Sequence, residues 1–182
     1  ATTEIYTLSL HDALRSRMNE LASAAIHTDN PAPRVLARYR RWQATLNGGH
    51  PGLSVDIAGF RRYRGDWIGA VVTPWFIHLL LLPGGGELWR ELPVEQILRV
   101  GFPAGDLDLI SERSDDPDLP ASFFATILAP VDDLADQDAA LRTAMDALHL
   151  LFEPPAVAPA PTNPEPQPVD RRGFFRRLAG RG

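Results

Sequence analysis

Apolar residues recur at helical spacing twice before residue 50, then fall into short runs of strand length. Leu10, Leu14, Met18, Leu21 and Ile26 form the first stripe, with Ser9 and Asp12 placed as an N-terminal cap. A second helix starts near Pro33, which suits a first-turn position, and gathers Val35, Leu36, Tyr39, Trp42 and Leu46 on its inner face. Asn47-Gly48-Gly49 stops it, and Arg34, Arg38 and Arg41 on the opposite face read as solvated. From Leu53 the period shortens toward two. Leu53, Val55, Ile57 and Phe60 lead a strand into 61–64, Gly65-Asp66 supplies a turn, and 67–72 makes the next strand. The continuous apolar run 75–82 is expected of a central strand covered on both faces. Gly84-Gly85-Gly86 is a turn, and 97–100, 107–110 and 123–128 give three further strands.

A final helix is expected over 131–152, with Leu134, Leu141, Met145, Leu148 and Phe152 inward and Pro154-Pro155 ending it. The order of two helices, six strands and one helix, joined by short connections, predicts an α+β domain on a mostly antiparallel sheet. The segment 67–82 is close to membrane-spanning length. Thr73-Pro74 breaks it, β-branched residues fill its first half and His78 sits inside it, so two strands fit better and no membrane span is expected.

Pro154, Pro155, Pro159, Pro161, Pro164, Pro166 and Pro168 follow. Such a run lacks backbone donors and apolar bulk, so it favours extended conformations over packing. The chain therefore divides into one globular domain over 1–153, a Pro-rich linker over 154–169 and a basic tail over 170–182.

Charge is unevenly placed along these parts. The balance is +2 over 1–104, −10 over 105–153 and +3 from Pro154 onward. An acidic surface beside a tethered basic peptide suits attraction in cis, or a site for basic peptides in trans, and makes nucleic acid an unsuitable partner. With no cysteine, disulfides, thiolate metal sites and thiol catalysis are excluded. The polar N-terminal residues lack a signal-peptide pattern, which favours the cytoplasm.

Catalytic chemistry finds little support. His11, His27, His50, His78 and His149 are spread one per element, without the pairing a metal site needs, and His78 reads as a satisfied core residue. Gly84-Gly85-Gly86 continues into Glu87-Leu88 and so is no phosphate loop, and no serine has the Gly-x-Ser-x-Gly setting of a nucleophile elbow. Asp132-Asp133 and Asp115-Asp116 read as a helix start and a turn. Neither enzyme activity, metal nor cofactor is expected.

The tail carries the most specific motif. Asp170-Arg171-Arg172-Gly173-Phe174-Phe175-Arg176 looks like the core of a twin-arginine export signal, with Arg171, Arg172, Phe174 and Phe175 as its signature. Such signals act ahead of an apolar segment, and only 177–182 follow here, so it is expected to imitate the leader of another protein.

The strings Val55-Asp56-Ile57-Ala58-Gly59-Phe60, Gly65-Asp66-Trp67-Ile68-Gly69, Thr73-Pro74-Trp75-Phe76-Ile77-His78 running through Leu82-Pro83-Gly84, and Phe102-Pro103-Ala104-Gly105 resemble the HybE-type [NiFe]-hydrogenase assembly chaperones, as does the terminal Arg-Arg-Gly-Phe-Phe. The resemblance covers roughly 5–152 and the tail. It implies cytoplasmic maturation of an uptake hydrogenase, with the small-subunit precursor, which bears a twin-arginine leader, as partner beside other maturation proteins. It implies export delayed until the metal centres are in place. Some relatives carry a fused rubredoxin, for which this cysteine-free chain has no counterpart.

A leader of this type asks for a carboxylate and an apolar pocket a few ångströms apart, a pairing suited to a reversible grip. Asp106, Asp108, Asp115 and Asp116 are expected to form an acidic lip, and Trp75 and Phe76, after Pro74, to reach a groove. The alternative is an adaptor whose basic-aromatic tail binds anionic lipid or another protein, without chaperone activity.

Overall fold

The computed structural model describes residues 26–154. The chain in this span runs α1 (Ala32–Gln43), β1 (Asp56–Tyr63), β2 (Asp66–Val72), β3 (Ile77–Leu82), β4 (Ile97–Phe102), β5 (Gly105–Arg113), β6 (Ala121–Leu128) and α2 (Gln137–Phe152). The six strands form one sheet in the order β1-β2-β3-β6-β5-β4, and every neighbouring pair is antiparallel. The α+β class and the antiparallel sheet stand. Among the described residues, however, one helix precedes the sheet rather than two. The stripe from Leu10 to Leu21, expected to be the first helix, lies outside the described residues, and Ile26 is exposed and not helical.

Strand alternation sends each side chain to one of two cores. Ile68, Ala70, Leu79, Leu81, Val100, Leu109 and Phe123 point to the face that α2 covers with Ala140, Ala144 and Leu148. These helix positions are four residues apart, and two of them are alanine, so the helix sits low on the sheet. Val71, Leu80, Leu82 and Trp67 point to the other face, where α1 buries Val35 and Tyr39. The sheet curls around α2 until its two outermost strands meet at one end. Tyr63 Oη donates to the Gly101 carbonyl across 3.2 Å, and the rings of Tyr63, Phe102 and Phe152 pack together there.

Three expectations are corrected by local chemistry. The turn after β1 is Arg64-Gly65, both at positive φ as a tight hairpin between right-twisted strands requires. Asp66 belongs to β2 instead, wholly buried, and its carboxylate accepts four backbone N–H groups, from Gly84, Gly86, Leu88 and Trp89. These bonds fold the glycine turn back onto the β1–β2 hairpin. A Cβ at Gly84 or Gly86 would run into the carbonyl oxygens of Gly65 or Arg64, so the approach depends on glycine. Second, α2 begins at Gln137, not near Val131, because Asp136 caps it by accepting the Ala139 N–H at 2.7 Å, while Val131 is buried in the preceding loop. Third, Trp42 and Leu46 are not core residues, being 37% and 40% exposed.

The run 67–82 forms two strands because Thr73 Oγ1 accepts the backbone N–H groups of Trp75 and Phe76 and donates to the Phe76 carbonyl. The turn this creates holds Trp75 and Phe76 ahead of β3. Among the described residues no helix is long and apolar enough to cross a membrane.

Candidate partner-binding groove

Beside α1, toward β6 and β5, a groove of about 230 Å³ opens between Arg38, Tyr39 and Trp42 of α1, Phe76 and His78 of the β3 region, Glu112 and Phe124. Register explains its floor. Leu80 pairs with Phe124, Phe124 with Ile110, and Ile110 with Ile97, so these four share one row and one face. Leu80 is buried, whereas Ile110 is 38% and Ile97 63% exposed. The row thus carries apolar surface from the core out to the sheet edge.

Aromatic packing builds the walls. The His78 imidazole is stacked between Phe76, at 3.8 Å between ring centroids, and Phe124, at 4.7 Å. Trp42 packs against Trp75 at 5.3 Å and Phe76 at 5.6 Å. Burial between the two rings pushes the His78 pKa down to about 4, so the ring is neutral near pH 7. Its Nε2 lies 3.2 Å from Thr126 Oγ1. Burial also raises the Tyr39 hydroxyl well above its ordinary range. The groove therefore presents neutral rings.

Charges line its rim as pairs. Arg38 Nη2 donates to Glu112 Oε1 at 2.8 Å with the Arg38 side chain only 12% exposed, and Arg41 pairs with Asp116. Arg38 is thus docked on β5, not solvated as the helical spacing suggests, while Arg41 stays largely exposed and Arg34, also exposed, reaches His27 Nδ1. Arg38 Nη1 is buried with no hydrogen-bond partner among the described residues. A buried N–H left in this state costs about 1–3 kcal/mol, and a carbonyl or carboxylate in the groove would offset that.

The expected site residues divide. Phe76 stands in the groove wall, whereas Trp75 packs against the wall residue Trp42 and does not line the groove. The four aspartates do not form one lip. Asp106 and Asp108 lie at the β4–β5 turn, while Asp115 and Asp116 lie past the other end of β5, roughly 30 Å away along the strand. Asp108 is held below the usual carboxylate range by the Arg99 guanidinium, which binds both its oxygens. Asp116 is pushed up by burial, but hydrogen bonds from Arg41 and the Asp118 N–H outweigh this and hold it low. Arg171, Arg172, Phe174 and Phe175 lie outside the described residues. Sequence reasoning missed Trp42, Arg38, Glu112 and Phe124, and placed His78 simply in the core. The alternation in β3 and β6 assigns His78 and Phe124 each to a face, but only the pairing of the two strands, with His78 opposite Thr126 and Leu80 opposite Phe124, makes them diagonal neighbours.

Residues 30–177 match the family described as [NiFe]-hydrogenase assembly, chaperone, HybE. The chain belongs to this family. The hydrogenase expression/formation protein HupJ of Bradyrhizobium diazoefficiens is 34% identical over 126 residues, covering 68% of this chain and 72% of that protein. The protein HoxT of Cupriavidus necator is 32% identical over 143 residues, covering 70% and 77%. The hydrogenase-2 operon protein HybE of Escherichia coli is 25% identical over 163 residues, covering 83% and 92%. The solution structure of Escherichia coli HybE superposes with a TM-score of 0.59 at 21% identity, covering 75% of this chain and 88% of that one, which establishes a shared fold. The chain is thus of a chaperone family concerned with hydrogenase maturation.

Proposed function

We propose that this chain assists maturation of a [NiFe] uptake hydrogenase in the cytoplasm by holding the small-subunit precursor, through its twin-arginine leader or its mature part, and delaying export until the metal centres are complete. The observation that carries the reading is the groove of Trp42, Phe76, His78 and Phe124 in a member of an assembly-chaperone family, opening onto the exposed Ile110 and Ile97. Such a surface buries an aromatic or aliphatic anchor without any change of charge state, since His78 is neutral. Arg38 Nη1 at the wall donates to a backbone carbonyl of the bound segment. Asp115 and Asp118, exposed beside the Arg41–Asp116 pair, offer carboxylates to a client arginine. Release needs no covalent step, and other maturation proteins can take over the client.

Pull-downs with the precursor, intact and without its leader, test the reading against the wild-type chain and Trp42→Ala. Capture of the intact precursor, reduced at least tenfold by the substitution, supports it. Equal capture of both forms moves the contact to the mature subunit. Recovery of neither form overturns the proposal.

A further inference from the structure

The outer edge of β4 is built to accept another strand. At the start of β4, Glu95 adopts φ +65° and donates to the Ser111 carbonyl, while Ser111 N–H donates to the Gln96 carbonyl, which is a bulge with Gln96 opposite Ser111. Antiparallel bonding then alternates, so Leu98 and Val100 exchange bonds with β5. Ile97, Arg99 and Gly101 turn their N–H and C=O groups away from the sheet. The Gly101 carbonyl meets the Tyr63 hydroxyl, as this alternation requires. Ile97 and Arg99 have no strand beside them among the described residues.

The side chains along this edge form a pattern. Ile97 is exposed, Arg99 is held by Asp108, and Gly101 presents only its backbone. Asp106 faces Gly101 across the hairpin, and a Cβ on Gly101 would lie 3.4 Å from its Oδ1. The Asp106 carboxylate is exposed and lies beside Gly101, near enough to Arg99 to be felt by its charge. An added strand would complement this edge with a cation, a small residue and an apolar residue at every second position.

The chain's own tail has that order. Arg171, Gly173 and Phe175 alternate. Laid antiparallel to β4, they set Arg171 toward Asp106, Gly173 beside the Arg99–Asp108 pair, and Phe175 on Ile97. The described chain also ends in the right place, since Phe152 packs on Phe102 and Leu151 accepts a bond from Ala104 N–H, both at the Gly101 end of β4. Residues 155–170 number sixteen and extend to roughly 50 Å. The edge from Phe102 to Ile97 is about 17 Å long. We propose that residues 171–175 add to the edge of β4 as a seventh, antiparallel strand, with Phe175 on Ile97 and Arg171 at Asp106. This internal strand covers the outer end of the apolar row that leads into the groove. Its tethered effective concentration is on the order of millimolar, so weak contacts suffice for occupancy.

Site-resolved hydrogen exchange of the Ile97 and Arg99 amides in the full-length chain tests this, using wild type, Phe175→Asp, Asp106→Arg and Asp106→Arg combined with Arg171→Asp. The expected result is exchange at least tenfold slower than in an open strand edge, independent of protein concentration. Each single substitution should abolish the slowing and the charge swap should restore it. Fast exchange in the wild type overturns the proposal. So does slow exchange unchanged by Phe175→Asp and by Asp106→Arg, which would assign the edge to another segment, and so does slow exchange that grows with concentration, which would assign it to a second copy of the chain.

Discussion

Arg38 and Glu112, 74 residues apart, are joined by a 2.8 Å ion pair that fixes α1 to β5 at the wall of the aromatic groove. The guanidinium is mostly buried, and Ser122 Oγ donates to the second Glu112 oxygen. Glu112→Ala strands this guanidinium and is expected to lower stability by about 2 kcal/mol. Glu87→Ala removes the partner of Arg64 from a pair exposed on both sides, and less than about 0.5 kcal/mol is expected. Urea unfolding of both variants checks the contrast, and equal losses would mean that the Arg38 pair acts as an ordinary surface pair.

Asp66 holds the glycine turn by four charge-assisted bonds. Asp66→Asn turns an NH₂ group toward two of those donors and should destabilise the fold by about 3 kcal/mol. Chemical denaturation measures the loss, and a change below about 1 kcal/mol would contradict the assigned role.

His78 makes stability depend on pH. The folded ring takes a proton only near pH 4, whereas in the unfolded chain it does so at about 6.5. Between these values the unfolded state binds more protons, so stability is full above about pH 6.5 and declines as pH falls toward 4. His27, lowered by burial and then by the Arg34 charge, adds in the same direction. Since His78 is partly open to solvent, a loss of about 1–2 kcal/mol is expected from it. His78→Phe keeps the stack between Phe76 and Phe124 and should flatten the profile between pH 7 and pH 4.5. A variant as steep as wild type would remove His78 as the cause.

Ile110 lies on the floor row but is only partly covered. Ile110→Asp is expected to change unfolding free energy by less than about 1 kcal/mol while weakening precursor capture at least tenfold. Parallel denaturation and pull-down measurements separate the two effects, and undiminished capture would remove this row from the client surface.

The six strands, the helices at Pro33 and before Pro154 and the breaking turn at Thr73-Pro74 were all legible in the amino-acid order. Each depends on periodicity or turn chemistry within about ten residues. Family membership was legible for the same reason, because its strings are contiguous. Two boundaries moved where a side chain made the decision, at Asp136 capping α2 and at Asp66 entering β2. The groove itself was beyond local reading. His78 meets Phe124, and Arg38 meets Glu112, only because β6 inserts beside β3 and carries β5 with it. Helical spacing alone shows three arginines on one face of α1 and is blind to the acids that meet two of them, Glu112 at Arg38 and Asp116 at Arg41. The same pairing strands Asp106 and Asp116 at opposite ends of β5, although both belong to one acidic stretch of sequence. A strand's period names the face to which a residue points. Which strand lies beside it is set by long-range burial and hydrogen bonding, and that choice made the site.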